Sequence, residues 1–361
     1  MSRMVRSVDL EALYDIFDVP EEAGPGALVA GARRQHPTLP HLILSAAEHC
    51  GTPMSDAALG ELRRAQRRAR LYRDTLDRIA AQVPVRALKG TTVARHYPEW
   101  LFRPQGDLDL LVDGEQDLWR VVRLLAEDER VSVGVCVLGA PDRHTVAVVT
   151  WPGEDNLLDP DFRVEVVTAA LVGDFEAVPI RVALPEDDLV ASLLALAEER
   201  FQRPFHARDA IDLHVMGRAE APMATAELAG IVEEYRLAPE ALELVEFTAD
   251  RVSPGWFGGL GTALESAAER ELALRAAHPV PAGPTVEVPL AVADGTLLQA
   301  LPLRRVVDRG DWDVARTHVF GDNVLLLTPV GDYLLVTGEL VEPERYEAAL
   351  AELENLAEES R

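Results

Sequence analysis

The chain has 361 residues, 48% of them apolar, and a formal net charge of −26. This length exceeds the usual size of one domain, about 100–200 residues, so we expect two or more substructures. The acidic balance disfavours nucleic acid as a partner, because acidic surfaces repel phosphates and nucleic-acid-binding proteins usually carry basic stripes.

The N-terminal region, residues 1–82, is predicted to be helical, because apolar residues recur at helical spacing over residues 55–81. The pattern changes at residue 83, and residues 83–184 alternate short strands with short helices. Such alternation predicts a core in which a sheet packs with helices. Its strands are expected at 83–88, 106–112, 131–138, 145–150 and 163–168, and its helices at 91–96 and 119–127.

Helical patterns return over residues 185–280, and a linker containing Pro and Gly is predicted at 279–284. The helices are expected at 189–201, 207–216, 225–235, 239–252 and 262–278. Residues 284–361 are predicted to form a small accessory α+β domain, to which we assign no activity. That domain is expected to contain strands at 286–292, 301–307, 324–327 and 333–336 and a closing helix at 343–358.

Several classes of protein are disfavoured by what the sequence lacks. The two cysteines, Cys50 and Cys136, belong to no CxxC motif, so neither a disulfide framework nor a zinc site is expected. The first residues show no apolar segment typical of a signal peptide, and no apolar run reaches the length that spans a membrane. We therefore expect a cytoplasmic protein that does not associate with membranes.

A pair of carboxylates, Asp107 and Asp109, lies on the predicted strand 106–112. Side chains at positions i and i+2 of a strand point to the same face, so the two carboxylates are expected to lie a few ångströms apart. Such a pair can bind Mg²⁺, which prefers oxygen ligands. A D-x-D pattern alone is a weak signal, and its weight here comes from the turn that precedes it.

That turn contains Lys89, the only lysine of the chain, followed by Gly90. Glycine lets the backbone turn sharply and approach a phosphate closely. Thr91 or Thr92 can cap the next helix, whose N-terminal N–H groups favour an anion. The turn therefore predicts a phosphate-binding segment shortly before the paired carboxylates.

The segments Leu88–Lys89–Gly90 and Asp107–Leu108–Asp109–Leu110–Leu111–Val112, with Arg103 between them, resemble a known motif. It is that of the polymerase-β-like nucleotidyltransferases, above all of an uncharacterised bacterial branch that reads LKG…R…D-[IL]-D-L-L-V. The resemblance covers roughly residues 40–216. It implies an α+β fold: a polymerase-β-like nucleotidyltransferase core of mixed sheet and helices, flanked by helical segments.

By this resemblance, Asp107 and Asp109 would bind two Mg²⁺ ions. A third carboxylate would complete the metal site and activate the attacking hydroxyl. Glu165 is the leading candidate, although the family more often places an Asp-Leu-His sequence there, and Asp159 and Asp161 are alternatives.

The resemblance also implies a nucleotide site. Gly90, Thr91 and Thr92 would hold the phosphates of an NTP, with ATP expected, and Lys89 would add charge there. Arg103 would contact a phosphate or the base, or would pair with Asp107. Two later carboxylates would line the adjoining cleft, or would form a charge network within their own helix; these are Asp209 and Asp212.

The sequence thus predicts an Mg²⁺-dependent nucleotidyltransferase that transfers NMP to a hydroxyl of a small molecule, a peptide or a protein. Two alternatives stay open. One is a nucleotide-sensing or protein-binding module on the same fold, which the departure at Glu165 permits. The other is a toxin-like enzyme that modifies tRNA, which the net charge of −26 disfavours.

Overall fold

A computed structural model describes residues 8–127, 130–139, 142–174, 177–277, 297–305, 309–338 and 341–359. The predicted linker 279–284 and the predicted strand 286–292 lie outside these residues. Statements about the structure below refer to the described part of the chain.

The α-helices are bounded as follows: α1 Leu10–Ile16, α2 Gly24–Gln35, α3 Pro40–His49, α4 Asp56–Ala80, α5 Gly90–Ala94, α6 Glu115–Leu125, α7 Asp188–Gln202, α8 Ala207–Met216, α9 Thr225–Glu234, α10 Ala238–Ala249, α11 Gly258–Ala276 and α12 Pro343–Glu359. The strands are β1 Arg86–Leu88, β2 Leu108–Leu111, β3 Ser132–Leu138, β4 His144–Trp151, β5 Phe162–Val167, β6 Leu298–Arg305, β7 Arg316–Phe320, β8 Asn323–Leu327 and β9 Gly331–Val336. The predicted α+β class is confirmed.

The chain divides into two compact units, each built from separate segments. The first unit comprises Met1–Thr75, Ala87–Leu108 and Leu171–Pro279, and the second comprises Leu76–Arg86, Asp109–Ala170 and Val280–Arg361. The boundary therefore falls between Leu108 and Asp109, inside the predicted metal-binding motif. The four sequential regions expected from the sequence stay a prediction.

The first unit is mainly helical, and α7 is one of its most buried helices. Asp187 caps the N-terminus of α7 by accepting hydrogen bonds from the backbone N–H groups of Leu189 (2.9 Å) and Val190 (3.0 Å). Every residue from Leu189 to Glu198 is buried, so α7 has no solvent-facing polar stripe over this stretch. A helix that is apolar on all sides belongs in a core, and a carboxylate at its end needs a partner there.

The second unit contains a sheet in which β2, β5, β4, β3, β6, β9, β8 and β7 follow one another in this order. Val164 and Val166 of β5, with Ala147 and Val149 of β4, are fully buried on one face, against which α6 packs. Because strand side chains alternate between faces, Glu165 points to the opposite, less buried face.

The C-terminal strands extend this same sheet. β6 pairs antiparallel with β3, and Val135 lies opposite Ala300. Helix α12 packs against these strands, and its residues Ala349 and Leu353 cluster with Leu334 and Val336 of β9. The residues predicted as an accessory domain thus contribute their described strands to the sheet that also contains β3, β4 and β5.

Several predicted element boundaries differ from the structure, among them the start of α6, which lies four residues before the predicted residue 119. β2 begins at Leu108, so Asp107 lies just before the strand instead of within it. α11 begins at Gly258, four residues before the predicted start, and β7 was not predicted. No helix in the described ranges has both the length and the apolar character that crossing a bilayer demands.

Candidate functional site

Lys89 has an unusual backbone conformation. It lies between β1 and α5 with φ +51° and ψ −109°, a region that favours glycine because a Cβ is crowded there. Its ammonium Nζ donates a hydrogen bond to Glu199 Oε1 at 2.6 Å, and the two side chains are only 20% and 16% exposed. A backbone in such a region persists when its surroundings hold it, and this ion pair is a contact that does so.

Helix α7 supplies the carboxylate that holds Lys89. Burial alone would raise the pKa of Glu199, but the charge and hydrogen bond of Lys89, followed by Arg203 at 3.4 Å, lower it below its ordinary value. The neighbouring Glu198 accepts the backbone N–H groups of Val172 (2.6 Å) and Gly173 (2.9 Å). Burial raises the pKa of Glu198 in spite of these contacts.

The side chains of Arg103 and Gln105, both in the first unit, pack against the turn at Gly90. A Cβ added to Gly90 would lie 3.3 Å from Arg103 Nη1 and 3.7 Å from Gln105, so glycine makes room for these side chains. Gln105 Nε2 donates to Thr91 Oγ1 at 3.1 Å and to the backbone oxygen of Asp107 at 3.0 Å. Gln105 therefore connects the predicted phosphate turn directly to the predicted metal-binding segment.

Thr92 does not present its hydroxyl as a free donor. It is buried, and its Oγ1 donates to the backbone oxygen of Ala87 at 3.2 Å. That bond fastens the first turn of α5 to β1. Of the two threonines, Thr91 is the one with a half-buried side chain.

Arg103 is buried and paired. Its Nε and Nη2 donate to Asp212 Oδ1 (2.8 Å) and Oδ2 (2.7 Å), and the hydroxyl of Tyr97 donates to Asp212 Oδ1 at 2.6 Å. Burial first, and then the charge of Asp212, raise the pKa of Tyr97 well above its ordinary value. The structure thus pairs Arg103 with Asp212, and its contact with a nucleotide stays a prediction.

The other acidic residue of α8, Asp209, is also buried and paired. It accepts hydrogen bonds from Arg203 Nη1 at 2.7 Å and from the backbone N–H of His206 at 2.9 Å. The hydrogen-bond partners of Asp209 and Asp212 thus lie outside α8, so these contacts are not the charge network within the helix, and a role of either residue in lining a cleft stays a prediction.

The predicted metal ligands are less buried. Asp107 is exposed, and Asp109 is half-buried in β2 between Leu108 and Leu110, which are 1% and 0% exposed. Within the second unit, β5 lies next to β2 and carries the half-buried Glu165. The Glu165 carboxylate accepts a hydrogen bond from Arg163 Nη2 at 2.9 Å.

A ready three-ligand metal site is not observed in the part of the chain that the structure describes. No group of three or more His, Cys, Asp or Glu side chains there is arranged to hold a metal ion. Mg²⁺ commonly takes only one or two protein carboxylates and completes its shell with water and substrate phosphates. Asp107 and Asp109 fit that pattern, while Glu165, Asp159 and Asp161 stay predictions as third ligands.

Part of the chain is similar to a family of known proteins. Residues 25–134 match the model of a family described as "Uncharacterised nucleotidyltransferase". This confirms the resemblance inferred from the motif, and the matched segment contains the turn at Gly90, Arg103, Asp107 and Asp109. Glu165 lies beyond it.

Two solved structures are also similar to the chain. One is described as "putative nucleotidyltransferase from H. pylori", and it has 17% sequence identity and a TM-score of 0.31, covering 61% of this chain and 99% of that one. The other, JHP933 from Helicobacter pylori, has the same identity and TM-score and covers 61% of this chain and 96% of its own. No curated protein matches the chain.

Sequence reasoning missed two residues beside the matched turn, Glu199 and Gln105. Glu199 could have been noticed, because Glu198 and Glu199 end an apolar helical run and buried carboxylates require partners. Gln105 gave no signal, since the proline and the glycine on either side of it predict only a turn.

Proposed function

We propose that the chain is an Mg²⁺-dependent nucleotidyltransferase that transfers NMP from an NTP to a hydroxyl group and releases pyrophosphate. The observation that carries this proposal is the connection made by Gln105 between the Gly90 turn and the Asp107–Leu108–Asp109 segment. Both segments lie in the part of the chain that matches the nucleotidyltransferase family. The acceptor is a small molecule, a peptide or a protein, since a net charge of −26 disfavours nucleic acid.

In this proposal, Asp107 and Asp109 hold two Mg²⁺ ions, which would neutralise charge on the transferred phosphoryl group. Glu165 is the third ligand and the base that accepts the proton of the attacking hydroxyl. Its pair with Arg163 has side-chain exposures of 48% for Arg163 and 30% for Glu165. Such an exposed pair contributes about 0–1 kcal/mol, so the carboxylate can exchange Arg163 for a metal at little cost.

The nucleotide phosphates are proposed to lie at Gly90, Thr91 and Thr92. Lys89 donates one N–H of its ammonium to Glu199, so a bound phosphate would share the positive charge of Lys89 with this carboxylate. Arg103 is proposed to support the conformation of the turn, because its guanidinium fills the space beside Gly90. We expect ATP as the NTP.

Isothermal titration of the whole chain with ATP tests the binding half of the proposal. Wild type should bind ATP in the presence of Mg²⁺ and bind it weakly without the metal, and Asp107→Ala plus Asp109→Ala should abolish the Mg²⁺ dependence. A matched control is Asp311→Ala plus Asp313→Ala, because these two exposed residues form another D-x-D in the described chain. No Mg²⁺-dependent binding in wild type, or equal binding by both double variants, would contradict the proposal.

A second candidate is a nucleotide sensor that binds NTP without turnover. It is favoured by the observation that the described residues contain no three-ligand metal group. Binding alone does not separate the two, whereas pyrophosphate release in the presence of candidate acceptors does. Sustained release supports the enzyme, and Mg²⁺-dependent binding without release supports the sensor.

A further inference from the structure

Strand β7, Arg316–Phe320, is an edge of the sheet in the second unit. Its inner side pairs antiparallel with β8 in a register without shifts. A loop of two residues joins the strands and sets Phe320 opposite Asn323. The backbone groups on the outer side of such a strand are a template for pairing with another chain.

The alternation of hydrogen bonds along β7 identifies its outward groups. In a hairpin with a two-residue loop, the residues that flank the loop exchange hydrogen bonds, and so does every second residue before them. Phe320, His318 and Arg316 therefore bond to β8. The N–H and C=O groups of Thr317 and Val319 point outward, and within the described residues none of them has a partner.

The same alternation turns the backbone of Ala315 outward, and there the edge is closed. The Ala315 N–H donates to Glu115 Oε1 at 2.8 Å, and its carbonyl oxygen accepts from Arg143 Nη2 at 3.3 Å. These two side chains take the place of a neighbouring strand at Ala315. The open part of the edge therefore consists of Thr317 and Val319.

Strand β7 lacks the features that usually protect an edge from other chains. It contains no lysine, proline or bulge. The side chain of Val319 is 58% exposed, and that of Val314, just before the strand, is 45% exposed. Thr317 and Val319 are β-branched, which favours packing on a strand surface. The edge is therefore suited to the addition of a strand.

We propose that two copies of the chain join their β7 strands antiparallel about a two-fold axis at His318. This register sets Thr317 of one copy opposite Val319 of the other, so every outward N–H meets an outward C=O. A two-fold contact is closed, because both copies use the same surface and leave no second one open. The dimer involves none of the residues proposed to bind metal or nucleotide and is independent of nucleotidyl transfer.

The charges at the edge favour a second copy over an unrelated extended peptide. In this register Arg316 lies diagonal to Asp322 of the second copy, a separation that a long side chain spans. Both side chains are exposed, and neither forms a salt bridge within the described residues. The Arg316 guanidinium stacks on Trp312 at 4.1 Å, which leaves the donors at its rim for a carboxylate. The two-fold axis makes this contact twice.

Sedimentation velocity of the full chain tests the dimer, with a thiol reductant present because Cys50 is exposed. A strand of five residues buries less surface than the roughly 800 Å² per partner of a stable complex. The dissociation constant should therefore be about 10–100 µM, and wild type should pass from monomer to dimer between about 1 and 500 µM. Monomer alone throughout this range would overturn the proposal.

A pair of lysine variants places the contact at β7. Val319→Lys puts a charge on the edge and should raise the dissociation constant at least about tenfold. Val182→Lys is the matched control, because Val182 is 57% exposed, and it should leave the constant unchanged. Equal dimerisation of the two variants would show that the copies meet through another surface and would overturn the proposal.

A disulfide tests the register. In a Cys50→Ser background, His318→Cys sets two cysteines opposite each other at a Cα separation of about 4.5 Å, within the range of about 4.4–6.8 Å that a disulfide requires. Thr317→Cys is the control, because residue 317 lies opposite Val319 and not opposite itself. Mild oxidation should cross-link the first variant and not the second. A cross-link in both variants, or in neither, would contradict the two-fold axis at His318.

Discussion

Lys89→Gly should be more stable than Lys89→Ala, which reverses the order expected at an ordinary position of the chain. Both variants lose the 2.6 Å contact with Glu199, so the difference between them reports the backbone alone. At an ordinary position, alanine is more stable than glycine by about 0.4–1 kcal/mol, because it restricts the unfolded chain. At φ +51° and ψ −109°, alanine bears about 1–3 kcal/mol of strain that glycine avoids. The glycine variant should therefore unfold with a free energy about 1 kcal/mol higher.

Urea unfolding followed by far-UV circular dichroism measures this difference as a shift of the midpoint at constant slope. Arg95 provides a matched control, since it follows the same short helix, α5, has φ −65° and ψ −21°, and its side chain is 64% exposed. There, Arg95→Ala should be more stable than Arg95→Gly. Finding Lys89→Ala as stable as Lys89→Gly would refute the inference that the Lys89 backbone is strained.

Asp212→Asn should lower the free energy of unfolding by about 3–5 kcal/mol in thermal unfolding, because it leaves the buried Arg103 charge without its carboxylate. Glu199→Gln should tighten ATP binding about threefold to tenfold by titration, since the Lys89 ammonium no longer shares its charge with the carboxylate of Glu199. His36 has its pKa lowered from 6.5 to about 4, first by burial and then by Arg208, so it stays neutral in the fold while the unfolded chain binds a proton. Stability should thus fall as the pH drops from 6.5 to 4, by about 1 kcal/mol after allowance for solvent screening, and His36→Asn should flatten that part of the profile.

Each of these has an outcome that contradicts it. Asp188→Asn is the control for Asp212→Asn, because Asp188 is 48% exposed and should change stability little. Equal losses of unfolding free energy at the two positions would mean that the buried pair of Arg103 and Asp212 stabilises the fold no more than an exposed pair does. Unchanged or weaker ATP binding by Glu199→Gln would mean that Lys89 does not serve phosphate, and an unaltered pH profile of His36→Asn would place that dependence on other groups.

Local sequence patterns predicted the helices well because burial and periodicity act over neighbouring residues. Helix α8 has the predicted bounds, Ala207–Met216, and α4 differs from the predicted 55–81 by one residue at each end. Strand β7, Arg316–Phe320, escaped prediction because its residues show no buried alternation. It lies at the edge of the sheet and owes its conformation to pairing with β8, which no pattern within the segment reveals.

The candidate site was likewise predictable only where its features depend on neighbouring residues of the sequence. The order of the Gly90 turn and the Asp107–Leu108–Asp109 segment is a local property of the sequence, and it led to the resemblance that the matched segment confirms. The partner of Lys89 is 110 residues away, and its positive φ has no sequence signal, since nothing marks a lysine for that region. The strand boundary at Leu108 depends on pairing between strands, which is likewise set by distant residues.

Nucleotidyl transfer by this chain can be measured as pyrophosphate release from ATP in the presence of Mg²⁺ and mixed hydroxyl acceptors. We expect sustained release by wild type and by Asp311→Ala plus Asp313→Ala, and none by Asp107→Ala plus Asp109→Ala. Glu165→Gln should also lose release while it retains ATP binding, because it keeps the shape but not the charge of the proposed base. Absence of release by a wild-type chain that binds Mg²⁺ and ATP, or equal release by the Asp107 and Asp109 double variant, would contradict the claim of nucleotidyl transfer.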